Sequence, residues 1–323
     1  MDGRSSFSRI AAVLSSSEQT VARRYRRLRE QGVIRVRGLR GPADGMLDWY
    51  VRVQVRPGAA DSLAAALARR RDVSWVTITA GGTEVVCSTR PRTPGQRDAL
   101  LLERLPRASP VTSLTAHAIL HRYAGSGWNE WTAFDDPLDP EQTQELAAHR
   151  DPRPQGVVTN QIPGPDAARL TPADAALASA LHEDGRATYA QLAAATRWSK
   201  GQVARRLASL FASGALYVDV EIATELLGFS APALLWITVP PSELTAAAER
   251  IAAARESAFV AAVSGPANLH ATVACRDPHH LHEFLVREVG ALKAVHMVET
   301  SLMARRVKQA GSIMRGPRLP EPG

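Results

Sequence analysis

The chain has 323 residues, 45% of them apolar, with 39 basic against 32 acidic residues and a formal net charge of +7. That length exceeds one hydrophobic core and reads as two or more domains, and the ordinary apolar share excludes a disordered chain. The basic balance favours an anionic partner, nucleic acid before others.

The pass along the chain starts in an arginine cluster: ten of the first 40 residues are arginine. Ile10, Ala11 and Leu14 mark the inner face of a short helix, and Ser17 stands where an N-cap belongs. Val21, Tyr25 and Leu28 recur at helical spacing and predict the buried stripe of a second helix. Gly32 closes it, and "VIRV" reads as a short strand. Strands follow at 49–56, 73–79, 83–89 and 111–119, with helices at about 60–71 and 94–105. A Pro-rich segment, 124–169, is expected to join two parts and to hold a short helix near 141–149. Its Trp128, Trp131 and Phe134 are expected to pack on a domain. Thr171, Pro172 and Asp174 open a helix as a capping box. Leu192, Val203, Leu207, Leu210 and Gly214 then repeat the first helical pattern. Strands at 233–239, 258–263, 268–274 and 295–303 alternate with helices at 242–255 and 277–289. The tail from Gly311 is expected to be disordered.

The chain repeats itself. "DGRSSFSRIAAVLSSSEQTVARRYRRLREQGVIRV" from Asp2 aligns without a gap on "DGRATYAQLAAATRWSKGQVARRLASLFASGALYV" from Asp184. After a shift of two residues Val53 meets Ile237, Pro57 meets Pro241 and Gly81 meets Gly265. The expected fold class is therefore α+β. It comprises two copies of a winged helix-turn-helix, each followed by a ferredoxin-like βαββαβ effector and oligomerisation domain. The expected divisions are 1–40, 46–123, a linker at 124–169, 170–222, 230–308 and a tail at 309–323. The first winged helix lacks its first helix, and a start upstream of Met1 is expected.

This order of parts resembles the Lrp/AsnC (feast/famine) family of transcription regulators. The matching residues are "DGR" before the second helix, Ser17 and Ser199 at the caps, Arg24 and Arg27 in "RRYRRL", "GVI" at 32–34 and "AVSGPANL" at 262–269. The resemblance implies a DNA-binding regulator in its two-module form, with double-stranded DNA as partner. It also implies a small-molecule effector such as an amino acid, and a homo-oligomer or an internal pseudo-dimer. The family aspartate after the effector-loop glycine is replaced by Glu84 in one copy and by Asn268 in the other.

In a helix-turn-helix the start of the second helix meets base edges in the major groove. The expected DNA-facing set is Ser17, Glu18, Gln19, Thr20, Arg23, Arg24, Arg26 and Arg27, with Arg35 and Arg37 on the wing. The second copy supplies Ser199, Lys200, Gln202, Arg205 and Arg206, a weaker set. Effector contact is expected at Gly81, Gly82, Thr83, Glu84, Gly265 and Asn268, where glycine lets backbone amides approach a carboxylate. Trp49, Trp75 and Trp236 fall in strand patterns as core or interface residues.

No cofactor and no metal site is expected. The two cysteines, Cys87 and Cys275, stand alone, without the spacing of a zinc site or a disulfide framework. No apolar run reaches the roughly 18 residues of a membrane span, so a cytoplasmic chain without membrane contact is expected. No catalytic residues are expected and the chain is read as not an enzyme. One rival is an enzyme akin to siroheme decarboxylases, which resemble this family in fold, with His270, His296 and Arg276 meeting tetrapyrrole carboxylates. The other is a scaffold that has lost DNA binding.

Overall fold

A computed structural model of the chain describes residues 3–41, 46–125, 131, 134, 138–147 and 169–320. The elements open with α1 (Phe7–Val13), α2 (Glu18–Glu30) and β1 (Ile34–Arg40). Next come β2 (Trp49–Val55), α3 (Ala60–Ala68), β3 (Val73–Thr79), β4 (Glu84–Thr89), α4 (Pro94–Asp98) and β5 (Val111–Ala124). The middle holds α5 (Pro140–Ala147), α6 (Ala175–Glu183), α7 (Tyr189–Thr196), α8 (Lys200–Ala212) and β6 (Leu216–Ile222). The last stretch holds β7 (Ala231–Thr238), α9 (Leu244–Ala252), β8 (Ser257–Val263), β9 (Leu269–Cys275), α10 (Pro278–Phe284), β10 (Met297–Gln309) and β11 (Ser312–Ile313). Helices α4 and α10 each run on into a π-helical turn, at Ala99–Arg104 and Leu285–Val289. Among the described residues no helix is long and apolar enough to cross a membrane.

These elements form two compact units, one of residues 1–41 with 126–223, the other of 42–125 with 224–320. In the first unit β1 and β6 pair antiparallel, from Ile34 opposite Ile222 to Arg40 opposite Leu216. Leu177, Leu181, Leu192, Val203, Leu207 and Leu210 form a core beneath α6, α7 and α8. Gly38 lets α6 lie on the ribbon: a Cβ there would come within 2.6 Å of the Leu181 Cβ. Helix α5 packs beside α1, where Gln142 Nε2 donates to the Val13 carbonyl at 3.2 Å. Leu146 and Trp131 are buried, and Trp131 meets Phe134 at 5.1 Å; Trp128 lies outside the described residues.

The "DGR" segments explain how the two ends of this unit hold together. Arg4 donates to the carbonyls of Gly185 and Ala187 at 2.6 and 3.0 Å. Arg186 donates to the carbonyls of Gly3 and Ser5 at 2.6 and 2.8 Å. The Arg186 guanidinium also lies 4.4 Å from the Phe7 ring, and that of Arg4 lies 5.9 Å from the Tyr189 ring. The exchange is reciprocal, each arginine closing backbone acceptors of the opposite segment.

In the second unit the strands run β3-β4-β2-β5 in one array and β8-β9-β7-β10 in the other. The long strands β5 and β10 each leave their own array to pair with the other, at β8 and β3, so the two arrays close into a ring of antiparallel strands. Alternation decides the faces. Val51, Val53 and Val55 point to a core shared with Leu63, Leu67 and Leu100, while Leu235 and Ile237 point to one shared with Ile251 and Phe284. The intervening residues, among them Tyr50, Val86, Leu234 and Trp236, meet between the arrays. The tail expected to be disordered instead turns back as β11, with Ser312 opposite Gln309, and Leu319 is buried.

Candidate functional site

Helix α2 carries the arginine cluster. Ser17 Oγ accepts from the Thr20 amide at 3.1 Å, capping the helix, and Val21 is buried beneath it. Glu18, Gln19, Arg23, Arg24, Arg26 and Arg27 are exposed. Leu28, expected in the buried stripe, is 37% exposed, because the inner face ends at Tyr25, which packs on Phe7 at 5.3 Å.

Two arginines leave the expected phosphate-facing set. Arg35 and Arg37 are 4% and 5% exposed. Arg35 donates to the Glu183 carbonyl at 3.1 Å, and Arg37 faces His182 Nε2 at 2.6 Å and the Glu221 carboxylate at 3.4 Å. The cause is that β1 is a ribbon strand covered by α6, so its arginines point inward to carboxylates. Burial first, and the neighbouring Arg37 second, hold the Arg35 pKa below its ordinary value.

On α8, Ser199 and Gln202 form a reciprocal cap: Ser199 Oγ accepts from the Gln202 amide at 3.2 Å, and Gln202 Oε1 accepts from the Ser199 amide at 2.8 Å. Arg206 grips Asp174 with two hydrogen bonds of 2.8 and 2.7 Å. Lys200 and Arg205 remain exposed. Among the described residues α8 therefore presents two cations without a partner, Lys200 and Arg205, where α2 presents four.

The effector set also divides. Glu84 is fully buried, its carboxylate accepting from Arg52 Nε at 2.8 Å, Gln54 Nε2 at 2.9 Å and Thr79 Oγ1 at 2.6 Å. Three donors satisfy it, so it is not open to an incoming amine, contrary to expectation. Asn268 is likewise occupied, accepting from the Val239 amide at 3.1 Å and donating to the Val239 carbonyl at 2.7 Å. Gly81 and Gly265 are exposed and left-handed, with φ of +63° and +106°; Gly82 and Thr83 are half-buried beside Gly81.

Sequence reasoning named Trp236 and His270 singly but missed the polar cluster they join between the two arrays. Trp236 is 1% exposed and His117 2%. Their rings stack at 4.7 Å, and His270, fully buried, lies 4.2 Å from Trp236 and 4.4 Å from Tyr50. The Arg52 guanidinium sits 4.9 Å over the Trp236 ring and reaches across to Glu299, Nη1 donating at 2.8 Å with a second bond from Nη2. Burial pushes the His270 pKa down to about 3 and the Tyr50 pKa up to about 12. One signal was available: Tyr50, Arg52 and Gln54 alternate with Val51, Val53 and Val55, putting a charge on a face that a second sheet must cover. Of the tetrapyrrole set, Arg276 stacks on Phe229 at 4.8 Å and His296 is exposed.

Residues 232–313 match the model of the Lrp/AsnC ligand binding domain, and residues 2–35 match that of a winged helix-turn-helix DNA-binding domain. The chain therefore carries an Lrp/AsnC ligand-binding domain and a winged helix-turn-helix. No curated protein matches the sequence. Among solved structures, this chain is similar to the siroheme decarboxylase NirDL, with a TM-score of 0.59 at 14% identity over 98% of this chain and 89% of that one. NirDL in complex with an iron-uroporphyrin III analogue gives 0.58 at 14%, over 94% and 87%. AsnC of E. coli matches 46% of this chain and 97% of its own, at 18% identity and a TM-score of 0.42. At such identity the likeness to NirDL is one of fold. It still corrects the expectation of a chain that is not an enzyme, because the architecture it matches over nearly its whole length is that of one.

Proposed function

We propose that the chain is a DNA-binding transcription regulator of the two-module Lrp/AsnC form, with α2 as its principal reading helix. The observation that carries this reading is the surface of α2. Arg23, Arg24, Arg26 and Arg27 are exposed, and among the described residues none of their side chains has an ion-pair or hydrogen-bond partner. Four unpaired arginines on one short helix suit phosphates and guanine edges. Gln19, Thr20 and Arg23 are assigned to bases, the remaining arginines to phosphates, and Lys200 and Arg205 of α8 to a weaker second half-site. The constant offset of 182 residues between the two "DGR" segments supports duplication, and the exposed turns at Gly81 and Gly265 are assigned to a small effector. The test is binding to the DNA upstream of its own gene against an unrelated fragment across a salt series. Arg23→Ala is expected to cost about 1–3 kcal/mol and to relax sequence preference, and Arg205→Ala to cost less. Equal binding to both fragments, unchanged by Arg23→Ala, overturns the reading.

A second reading is favoured by one observation, the likeness in fold to NirDL over 94–98% of this chain. It holds that the second unit binds and acts on a tetrapyrrole. Titration with siroheme, followed by its absorbance and by product analysis, decides between them.

A further inference from the structure

The cluster between the arrays contains two polar atoms without partners. His117 Nε2 and Trp236 Nε1 are buried and, among the described residues, make no hydrogen bond. Leaving such an atom unpaired costs about 1–3 kcal/mol, and two of them share one pair of stacked rings. Their chemistry is fixed. His117 Nδ1 lies 2.7 Å from the Ser264 carbonyl, which can only accept, so Nδ1 carries the proton and Nε2 is a bare acceptor. Gly265 enforces this: a Cβ there would stand 2.8 Å from His117 Nδ1, so only a glycine lets the backbone press on the ring. Burial, the largest influence, lowers the His117 pKa and keeps the ring neutral. Trp236 Nε1 is a donor only.

Over the Trp236 ring, 4.9 Å from its centre, sits the Arg52 guanidinium. Its Nε is held by buried Glu84, but both Nη atoms are held by Glu299, whose side chain is 51% exposed. A carboxylate that enters from solvent and takes the place of Glu299 leaves the charge balance of the interior unchanged, since the displaced carboxylate passes into water. The ligand must then offer a donor to the bare imidazole nitrogen. A hydroxyl suits it better than an ammonium, because the imidazole is neutral and the adjacent guanidinium repels a second cation. Val86 and Leu234, with Tyr50 packed against them, are the apolar neighbours of Trp236 between the arrays, which suits a ligand with a short carbon chain.

We infer that Arg52, Trp236 and His117 form a binding site for a small 2-hydroxycarboxylate, with Glu299 as an internal stand-in that the ligand displaces. The ligand carboxylate takes the Arg52 fork and the Trp236 N–H, and its hydroxyl donates to His117 Nε2. The site lies within the second unit, and its ligand does not depend on the DNA-binding reading.

The test uses the full chain, with calorimetry and tryptophan fluorescence under titration by L-lactate, acetate and L-alanine. Glu299→Ala is expected to tighten lactate binding by about tenfold or more, the equivalent of removing a competitor worth 1.4 kcal/mol. His117→Phe, which keeps the stack but removes the acceptor, is expected to abolish the preference of lactate over acetate. Arg52→Ala in the Glu299→Ala background is expected to abolish binding of both. No gain in Glu299→Ala, alanine binding as tightly as lactate, or a lactate preference that survives His117→Phe each overturns the proposal. Circular dichroism of each variant separates loss of the site from loss of the fold.

Discussion

Arg23 and Arg35 belong to one basic stretch and have opposite fates, and the difference is the partner each face meets. On α2 the outward face meets water; on β1 the face that carries Arg35 and Arg37 meets α6 and Glu221 of the opposite strand. No local pattern carries that information, since the covering helix lies about 140 residues away. Asp174 shows the reverse case, in which the local signal was sufficient: the sequence Thr-Pro-Ala-Asp predicts a capping box, and the structure has it. Arg206, with Thr171 assisting and burial opposing, holds Asp174 down at about 2 from an ordinary 3.8. The folded state thus binds its proton less readily than the unfolded chain. The resulting stability is complete above pH 4 and is lost as pH falls towards 2, amounting to about 2 kcal/mol. Asp174→Asn is expected to lose roughly that amount in urea unfolding at neutral pH, and the gap from the parent chain is expected to narrow on acidification. A gap that stays constant with pH removes the ion pair as its cause.

At the scale of elements, the helices and strands were legible wherever one face is buried by near neighbours. Strand β2 alternates cleanly, and α2 is fixed by its cap and its glycine stop. Strand β5 was read as ending at 119 but runs to Ala124, because its last residues pair with β8, which lies far along the chain. Strand β10 extends to Gln309 for the same reason, pairing with β3. The "DGR" repeat was visible as a match, but its physical role was not, since the carbonyls each arginine closes lie 181 to 183 residues away. Charge-assisted hydrogen bonds of this kind contribute about 1.5–3 kcal/mol each. Arg186→Ala is therefore expected to destabilise the first unit by about 2–4 kcal/mol, and Arg4→Ala by a similar amount. Thermal unfolding of the single and double variants checks this. The double variant is expected to cost close to the sum, because the two arginines close different carbonyls; a double variant no worse than either single one would show a single shared contact.

On the scale of the molecule, the second unit encloses neutral histidines that the unfolded chain would protonate. The His270 pKa drops from 6.5 to about 3 on burial, and that of His117 drops in the same direction. Each group binds protons less readily when folded, so its stability contribution is complete above pH 6.5 and is lost as pH falls, for His270 progressively towards 3. The unfolding midpoint of the parent chain is expected to decline through that window, and His270→Gln to flatten the decline. An acid profile identical in the variant locates the sensitivity elsewhere. The ring of strands has a further consequence. Two arrays that close on each other within one polypeptide meet at a fixed effective concentration, so dilution cannot separate them as it separates a dimer of independent chains. The two inner faces are also free to differ: one contributes Arg52 and Tyr50, the other Trp236, His270 and Glu299, a combination that two identical partners could present only twice over or not at all.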